Sequence, residues 1–315
     1  MTQKIPVAVI GVGYLGRIHA RIYHSMPQVD LVAVVDTDAS VAEAVAKECE
    51  CEAFTSIDPI LDRVQAVSIV VPTSLHGTVA APFLDRGVHM LMEKPIAPSY
   101  DESLHLVERA REAGVIFQVG HLERFNAGVK ALSERVRDPR FIEAHRMSPF
   151  VARATDVDVV TDLMIHDIDI VLSLVKSEVV SVQAIGLPVL THHVDIANAR
   201  LEFANGAAAN LTASRVSEKR FRRVRVFEKH CYEALNFVDQ QVEVMRAVPA
   251  AEDGEWPEIV KENLAVDAQQ PLDAELAAFI HSVNSGEPPL VDGHVALEAL
   301  RVAMTVKEMM AARPS

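Results

Sequence analysis

The stretch VAVIGVGYLGRIHA, residues 7–20, decides the fold. An apolar run, Val7–Ile10, leads into Gly11, Gly13 and Gly16 in G-x-G-x-x-G spacing, and a helix-compatible segment follows. A glycine triplet alone is a weak signal. Here a second apolar run, Leu31–Val35, ends at Asp36, twenty residues after Gly16. Strand, glycine turn, helix, strand and acid together form a dinucleotide fingerprint. The glycines permit a tight turn and close backbone approach, and the helix N-terminus faces the pyrophosphate. Asp36 suits the adenosine ribose hydroxyls and would repel a 2′-phosphate, so the expected cofactor is NAD, held by Gly11, Gly13, Tyr14, Leu15, Gly16 and Asp36.

Working outward, short apolar runs recur at Val67–Val71, Val88–Met92 and Ile116–Val119, with a weaker one at Ala53–Phe54. Helix-like segments at Ser40–Glu48, His76–Arg86 and Ser99–Ala113 separate them. Alternation of this kind predicts an α/β, doubly wound parallel sheet over residues 1–121. Gly87 and Gly114 are placed as helix-stop residues. Beyond His121 the pattern changes. Helices near Asn126–Arg137 and Asp162–Leu174 precede apolar runs at Val179–Ile185, Ile196–Phe203, Ala207–Ser214, Phe221–Phe227, Cys231–Phe237 and Gln241–Ala247. Asn205-Gly206 marks a hairpin, and helices at Leu272–Ser285 and His294–Ala312 close the chain. Residues 122–315 therefore read as an α+β domain with a largely antiparallel open sheet.

The 315 residues suffice for two cores, and half of them are apolar. A net charge of −14 argues against nucleic acid or an anionic membrane surface as partner. No apolar run has the ~18 residues of a membrane helix. The chain enters a strand too soon for a signal peptide. Three cysteines, without a Cys-x-x-Cys pair, fit a reducing cytoplasm rather than a disulfide framework.

Chemistry is suggested at three places. In LMEKPIAPS, residues 91–99, Pro95 stiffens a turn holding Glu93 and Lys94 at the carboxyl edge of a strand. Taken alone, Lys94 reads as a solvated loop lysine; beside a desolvated hydroxyl it would stabilise an alkoxide or pass a proton. In VVPTSLHG, residues 70–77, Pro72, Thr73 and His76 occupy the edge where open sheets bind ligands, or simply cap a helix. In TDLMIHDIDIVLSL, residues 161–174, Asp162, His166 and Asp169 form one polar seam on an apolar helix. An aligned Asp and His suit a general base with its orienting partner, or an internally satisfied pair. Asp167 falls opposite the seam and is expected as a surface or cap residue.

These motifs, with GHLERFN at 120–126 and the tail LDAELAAFIHSVNSGEPPLVDGHVALEAL at 272–300, resemble the glucose-fructose oxidoreductase/inositol dehydrogenase (Gfo/Idh/MocA) family over essentially the whole chain. The resemblance implies hydride transfer between a sugar or cyclitol carbon and a nicotinamide. Lys94 and His166 would handle the proton and Asp162 would assist. Glu93, Lys94 and Arg124 would lie at the cofactor, and Lys94, Asn126, Asp162, His166 and Arg215 at the substrate. The Lys94-Pro95 bond would be cis. Where many members carry glycine around the D-x-x-x-H segment, this chain has Val159, Val160 and Met164, which implies tighter packing.

The stretches TDVDVVTDLMIHDIDIVLSL (155–174) and HVDIANARLEFANGAAANLTASRVSEKRFRRVRVF (193–227) look most like the bacterial branch that oxidises the 3-hydroxyl of UDP-N-acetylglucosamine towards lipid A. Arg215, Lys219, Arg220, Arg222, Arg223 and Arg225 form a basic cluster that suits a pyrophosphate, although in an alternating strand half of such residues simply face water. A neutral substrate such as myo-inositol, or a non-catalytic NAD-binding regulator, are the alternative readings; the regulator is disfavoured by the presence of both Lys94 and His166. No metal is expected, since His192 and His193, being adjacent, diverge on an extended segment. The resemblance also implies a homo-oligomer, dimer or tetramer, packed through a sheet face that Leu201, Phe203, Val224, Val226 and Val242 are expected to supply.

Overall fold

What the first part of the chain buries explains its alternation. Val7, Val9, Val34, Val67, Ile69, Met90, Leu91 and Met92 are fully enclosed, because strands with helices on both faces leave neither face polar. In a computed structural model describing residues 4–151, 157–249, 256–266 and 269–312, these residues lie on a parallel six-stranded sheet. Its strands are β1 (Ile5–Ile10), β2 (Val29–Val35), β3 (Glu52–Phe54), β4 (Ala66–Ile69), β5 (His89–Glu93) and β6 (Phe117–Gly120), in the order β3-β2-β1-β4-β5-β6. That order reverses between β1 and β4, which sets a ligand crevice at their carboxyl ends. The intervening helices are α1 (Tyr14–Ser25), α2 (Ala39–Cys49), α3 (His76–Leu84) and α4 (Tyr100–Glu112). Local chemistry starts them: Asp38 accepts the Ser40 amide (2.9 Å) ahead of α2, and Ser99 with Glu102 forms a capping box on α4. Gly87 and Gly114 take positive φ, as helix-stop residues do.

The second sheet has eight strands. They are β7 (Phe141–Met147), β8 (Val179–Leu187), β9 (Ile196–Phe203), β10 (Ala208–Ser214), β11 (Phe221–Glu228), β12 (Cys231–Asn236), β13 (Gln241–Val248) and β14 (Glu258–Leu264), ordered β14-β13-β12-β11-β7-β10-β9-β8. Only β7 and β10 run parallel; every other neighbouring pair is antiparallel. Strands β7 and β14 have no counterpart in the apolar pattern. Helices α5 (Ala127–Arg135) and α6 (Ile165–Val175) pack on one face of this sheet.

Strand parity corrects the proposed interface. Leu201, Phe203, Val224, Val226 and Val242 all belong to the core beneath the helices. The outward positions, one residue out of step, are Phe141, Glu143, His145, Arg223, Arg225, Phe227 and Tyr232. Side chains alternate with a period of two, and the apolar set takes the covered face.

Helices α7 (Pro271–Ser285) and α8 (Gly293–Ala311) complete the chain. The residues fall into two compact units: one runs to Leu122 and includes Gln270–Glu298, and the other comprises Glu123–Gln269 and the chain from Ala299. Residues 270–298 thus join the first unit rather than the second. Their contribution is apolar: Leu276, Phe279, Ile280 and Val283 of α7 pack with Val7, Val9, Tyr23 and Val29. Among the described residues no helix is long and apolar enough to cross a membrane.

Candidate active site

In the first unit the glycine turn is built for close approach. Gly11 has φ +84°, and a β-carbon there would lie 2.6 Å from the Val70 carbonyl oxygen. A β-carbon on Gly16 would come within 1.8 Å of the Gly11 carbonyl oxygen, so helix and strand meet at van der Waals limits. Gly13 differs: nothing lies within 4 Å of its missing β-carbon, and it stands exposed at the start of α1. No side chain caps α1, and its first turn carries no acid, so its amides and dipole face open space. Asp36 sits over this turn, accepting the Val12 amide on Oδ2 (2.9 Å) and the Asp38 amide on Oδ1 (3.1 Å). Tyr14 is 82% exposed, and a hollow of about 530 Å3 lined by Val12, Gly13, Tyr14, Arg17, Ser40 and Val41 adjoins it. Arg17 and Arg21 are both tied to Glu48. The donors and the open Gly13 fit a dinucleotide pyrophosphate.

Lys94 is half-buried directly after β5, and the Lys94-Pro95 peptide is cis. His76, expected at the cofactor, braces this turn. It is 1% exposed, with Nδ1 3.1 Å from the Ile96 carbonyl oxygen and Nε2 3.0 Å from that of Val71. Burial lowers its pKa, against the pull of the two carbonyl oxygens that its ring nitrogens face. Pro72 and Thr73 remain at the sheet edge after β4, exposed and half-buried respectively.

In the second unit the polar seam begins on a π-turn, Val160–Met164, rather than on a regular α-helix. The Ile165 amide bonds back to the Val160 carbonyl, so the even spacing assumed for Asp162 and His166 does not hold through Asp162. Val159, Val160 and Met164 are wholly buried, which matches the tight packing expected of them. Asp158 starts the segment: it accepts the Val160 and Thr161 amides (both 3.0 Å) and pairs with Lys307 (2.8 Å). Asp162 and His166 are both half-buried. Thr155 and Asp156 of the stretch read at 155–174 lie outside the described residues.

Several expected ligand contacts have local partners. Arg124 pairs with Asp169 (3.1 Å), and the Asn126 side chain accepts the Gly128 amide (2.9 Å) at the start of α5. Arg215 is 6% exposed, donates to the Val157 carbonyl and lies 3.4 Å from Asp195. Asp195 also accepts the amides of Val189, Leu190 and Thr191. Although burial opposes it, these hydrogen bonds hold the Asp195 carboxyl far below its ordinary pKa. His192 and His193 are exposed in the bend that Asp195 organises. Strand parity divides the basic cluster: Arg223 and Arg225 face outward on Glu243 and Glu143, while Arg222 faces inward, 3.9 Å from Glu123.

The sequence reading missed the strongest polar assembly of this unit. Arg146, 2% exposed on β7, gives Asp167 hydrogen bonds from Nε (3.1 Å to each oxygen) and Nη2 (2.8 Å), and Glu123 one from Nη1 (2.7 Å). Asp167, expected as a surface or cap residue, is 2% exposed and lies in the first turn of α6. Burial would discharge Arg146, but Asp167 and Glu123 outweigh it and hold the guanidinium charged. The available signal was an arginine at an inward position of an alternating strand. The assembly fixes the Glu123–Arg124 segment and α6 to the same sheet.

Comparison with known proteins follows the same division. The sequence profile described as "Oxidoreductase family, NAD-binding Rossmann fold" matches residues 5–121, and "GFO/IDH/MocA C-terminal domain" matches residues 129–230. UDP-N-acetylglucosamine 3-dehydrogenase of Acidithiobacillus ferrooxidans is 37% identical over 300 residues, covering 95% of each chain. A solved structure of that organism's UDP-N-acetylglucosamine 3-dehydrogenase superposes with a TM-score of 0.92 at 35% identity, over 98% of this chain and 99% of that one. The scyllo-inositol 2-dehydrogenase (NAD(+)) of Bacillus subtilis is 32% identical over 237 residues, 69% of each chain.

Proposed function

The chain belongs to the Gfo/Idh/MocA family of NAD-binding oxidoreductases, and from that premise we propose that it oxidises the 3-hydroxyl of UDP-N-acetylglucosamine to the ketone. The observation that carries the substrate is the 37% identity, over 95% of both chains, to an enzyme of that name. The glycine turn and Asp36 would hold NAD, which when bound supplies the two-electron acceptor. Asp36, with Arg17 and Arg21 engaged by Glu48, favours NAD over NADP.

In this reading Lys94 hydrogen-bonds the reacting oxygen and stabilises the alkoxide as it develops. His166 accepts the hydroxyl proton and passes it to water, and Asp162 keeps the imidazole in its accepting tautomer. Arg222, with Arg220, is assigned to the substrate pyrophosphate in place of Arg215, which Asp195 and two carbonyls already engage. Burial and neighbouring Arg146 lower the Arg222 pKa, so a dianion beside it would be stabilising. The product suits amination to a diamino sugar for lipid A, in the cytoplasm. The outward sheet face bearing Phe141, Phe227 and Tyr232 would pair copies into a dimer or tetramer, and a monomer by light scattering at micromolar concentration would contradict this.

A second reading, oxidation of a neutral cyclitol, is favoured by the similarity to the scyllo-inositol enzyme, which covers less of the chain. NADH formation with UDP-N-acetylglucosamine, UDP-glucose and myo-inositol, each with an amine trap for the ketone, separates them. Signal with the acetylated nucleotide sugar alone supports the proposal; signal with inositol alone overturns it. Lys94→Ala should lower turnover by about 10²–10⁴ while leaving NAD affinity unchanged.

A further inference from the structure

Around Glu93 the first unit buries more titratable chemistry than the proposed reaction uses. His19 and Tyr23 of α1, Ser68 of β4, Gln118 of β6 and Glu275 of α7 are all fully enclosed, and Glu93 at the end of β5 has 17% of its side chain exposed. Tyr23 and His19 both reach the Ser68 hydroxyl, at 2.9 and 3.3 Å, and His19 Nε2 lies 3.5 Å from Glu93 Oε1. Glu93 is also wedged against β6: a β-carbon on Gly120 would lie 2.9 Å from each of its carboxyl oxygens.

Glu275 stands apart from this arrangement. Among the described residues neither of its carboxyl oxygens has a hydrogen-bond partner. Gln118 donates to its backbone carbonyl (3.2 Å) and not to its side chain. Glu93 lies against Gly120 and Gln118 reaches Glu275, and these two β6 positions fall on one face of the strand. Two buried carboxyls there cannot both ionise cheaply. Glu93 has the imidazole and some solvent, whereas Glu275 has neither, so the charge belongs on Glu93 and the proton on Glu275. Burial, and after it the Glu93 charge, hold the Glu275 pKa well above the ordinary carboxyl value.

We propose that Glu275 is a proton-holding positioning residue: neutral beside Glu93, it leaves a single carboxylate, paired with His19, to fix the end of β5 from which Lys94 projects. This rests on the reading of Lys94 as catalytic. The titratable groups around the Glu93–Glu275 pair are His19 and Tyr23 from α1, while β4 and β6 contribute Ser68 and Gln118. Tyr23 is pushed further up by burial and stays neutral throughout the working range. When Glu275 loses its proton, a second negative charge repels Glu93 and loosens the turn. Turnover should therefore fall on the alkaline side.

The test uses the NAD-bound protein and its Glu275→Gln variant. Infrared difference spectra at neutral pH, without substrate, should show a protonated-carboxyl band that the variant lacks. Because no sugar is present, this readout stands whichever substrate is oxidised. With whichever substrate turns over, Glu275→Gln should match the parent within about twofold at neutral pH, since a neutral amide replaces a neutral acid. Its alkaline limb should move up by about one pH unit or more. Glu275→Leu, also neutral, should move the limb the same way and serves if the amide variant folds poorly. Absence of the band overturns the proton assignment. A band with an unmoved alkaline limb overturns the positioning role.

Discussion

In the second unit Arg146, 2% exposed, surrounds itself with Asp167 and Glu123; in the first, Glu275, equally enclosed, has no hydrogen bond to its carboxyl among the described residues. Both units have taken titratable groups out of water, but they have met the desolvation cost differently. The Arg146 assembly holds its guanidinium charged and pairs it with two carboxyl groups, so its groups act as rivets between β7, α6 and the segment around Glu123. The Glu275 pocket keeps one charge, on Glu93, and neutralises the other group with a proton. A paired network is costly to break, whereas an unpaired carboxyl is cheap to replace and responds to pH.

That contrast can be broken or sharpened by measurement. Arg146→Ala should have the largest effect, destabilising the chain by about 3–5 kcal/mol in urea unfolding, because the Asp167 and Glu123 carboxyl groups lose the guanidinium that satisfies them. A loss below about 1 kcal/mol would mean that water already reaches them. Asp195→Asn should cost about 2 kcal/mol, since this carboxylate accepts three backbone amides around residues 189–191. Its folded pKa is depressed, so its contribution is present above the unfolded value of about 3.9 and is lost as pH falls through the folded one. Tyr23→Phe should cost about 1 kcal/mol through the lost Ser68 bond.

Glu275→Gln should change stability least near about pH 5 and in the opposite direction from the others. The folded pKa of Glu275 is raised, so its stabilising contribution is complete below the unfolded value of about 4.3 and is lost as pH rises through the folded one. The amide variant lacks that loss, and its advantage over the parent should grow between about pH 5 and pH 8. A pH-independent difference in urea midpoint would contradict the neutral-carboxyl account.

Most of the first unit was legible because its strands bury both faces and its turns carry glycine where positive φ is required, as at Gly11, Gly87 and Gly114. Strand β7 was not, because its inward positions are Ile142, Ala144 and Arg146, and an arginine in the apolar stripe breaks the alternation. Strand β14 is an exposed edge, EIVKENL, with no apolar face to read. At the candidate site, residue types and spacing singled out Lys94, Asp162 and His166 as candidates, but not the partners that decide what neighbouring groups do. His76, Arg124 and Arg215 looked available in sequence and are engaged by carbonyls and carboxylates distant in the chain. The π-turn at Val160–Met164 shifts the register of a helix without any glycine or proline to announce it.

In the proposed reaction the hydrogen on carbon 3 of UDP-N-acetylglucosamine leaves as hydride. Supplying the substrate deuterated at that carbon, with NAD, tests it directly by mass spectrometry of the reduced nucleotide. The account predicts one deuterium in the NADH and a 3-keto sugar nucleotide without it. Turnover that leaves the deuterium on the sugar would contradict it.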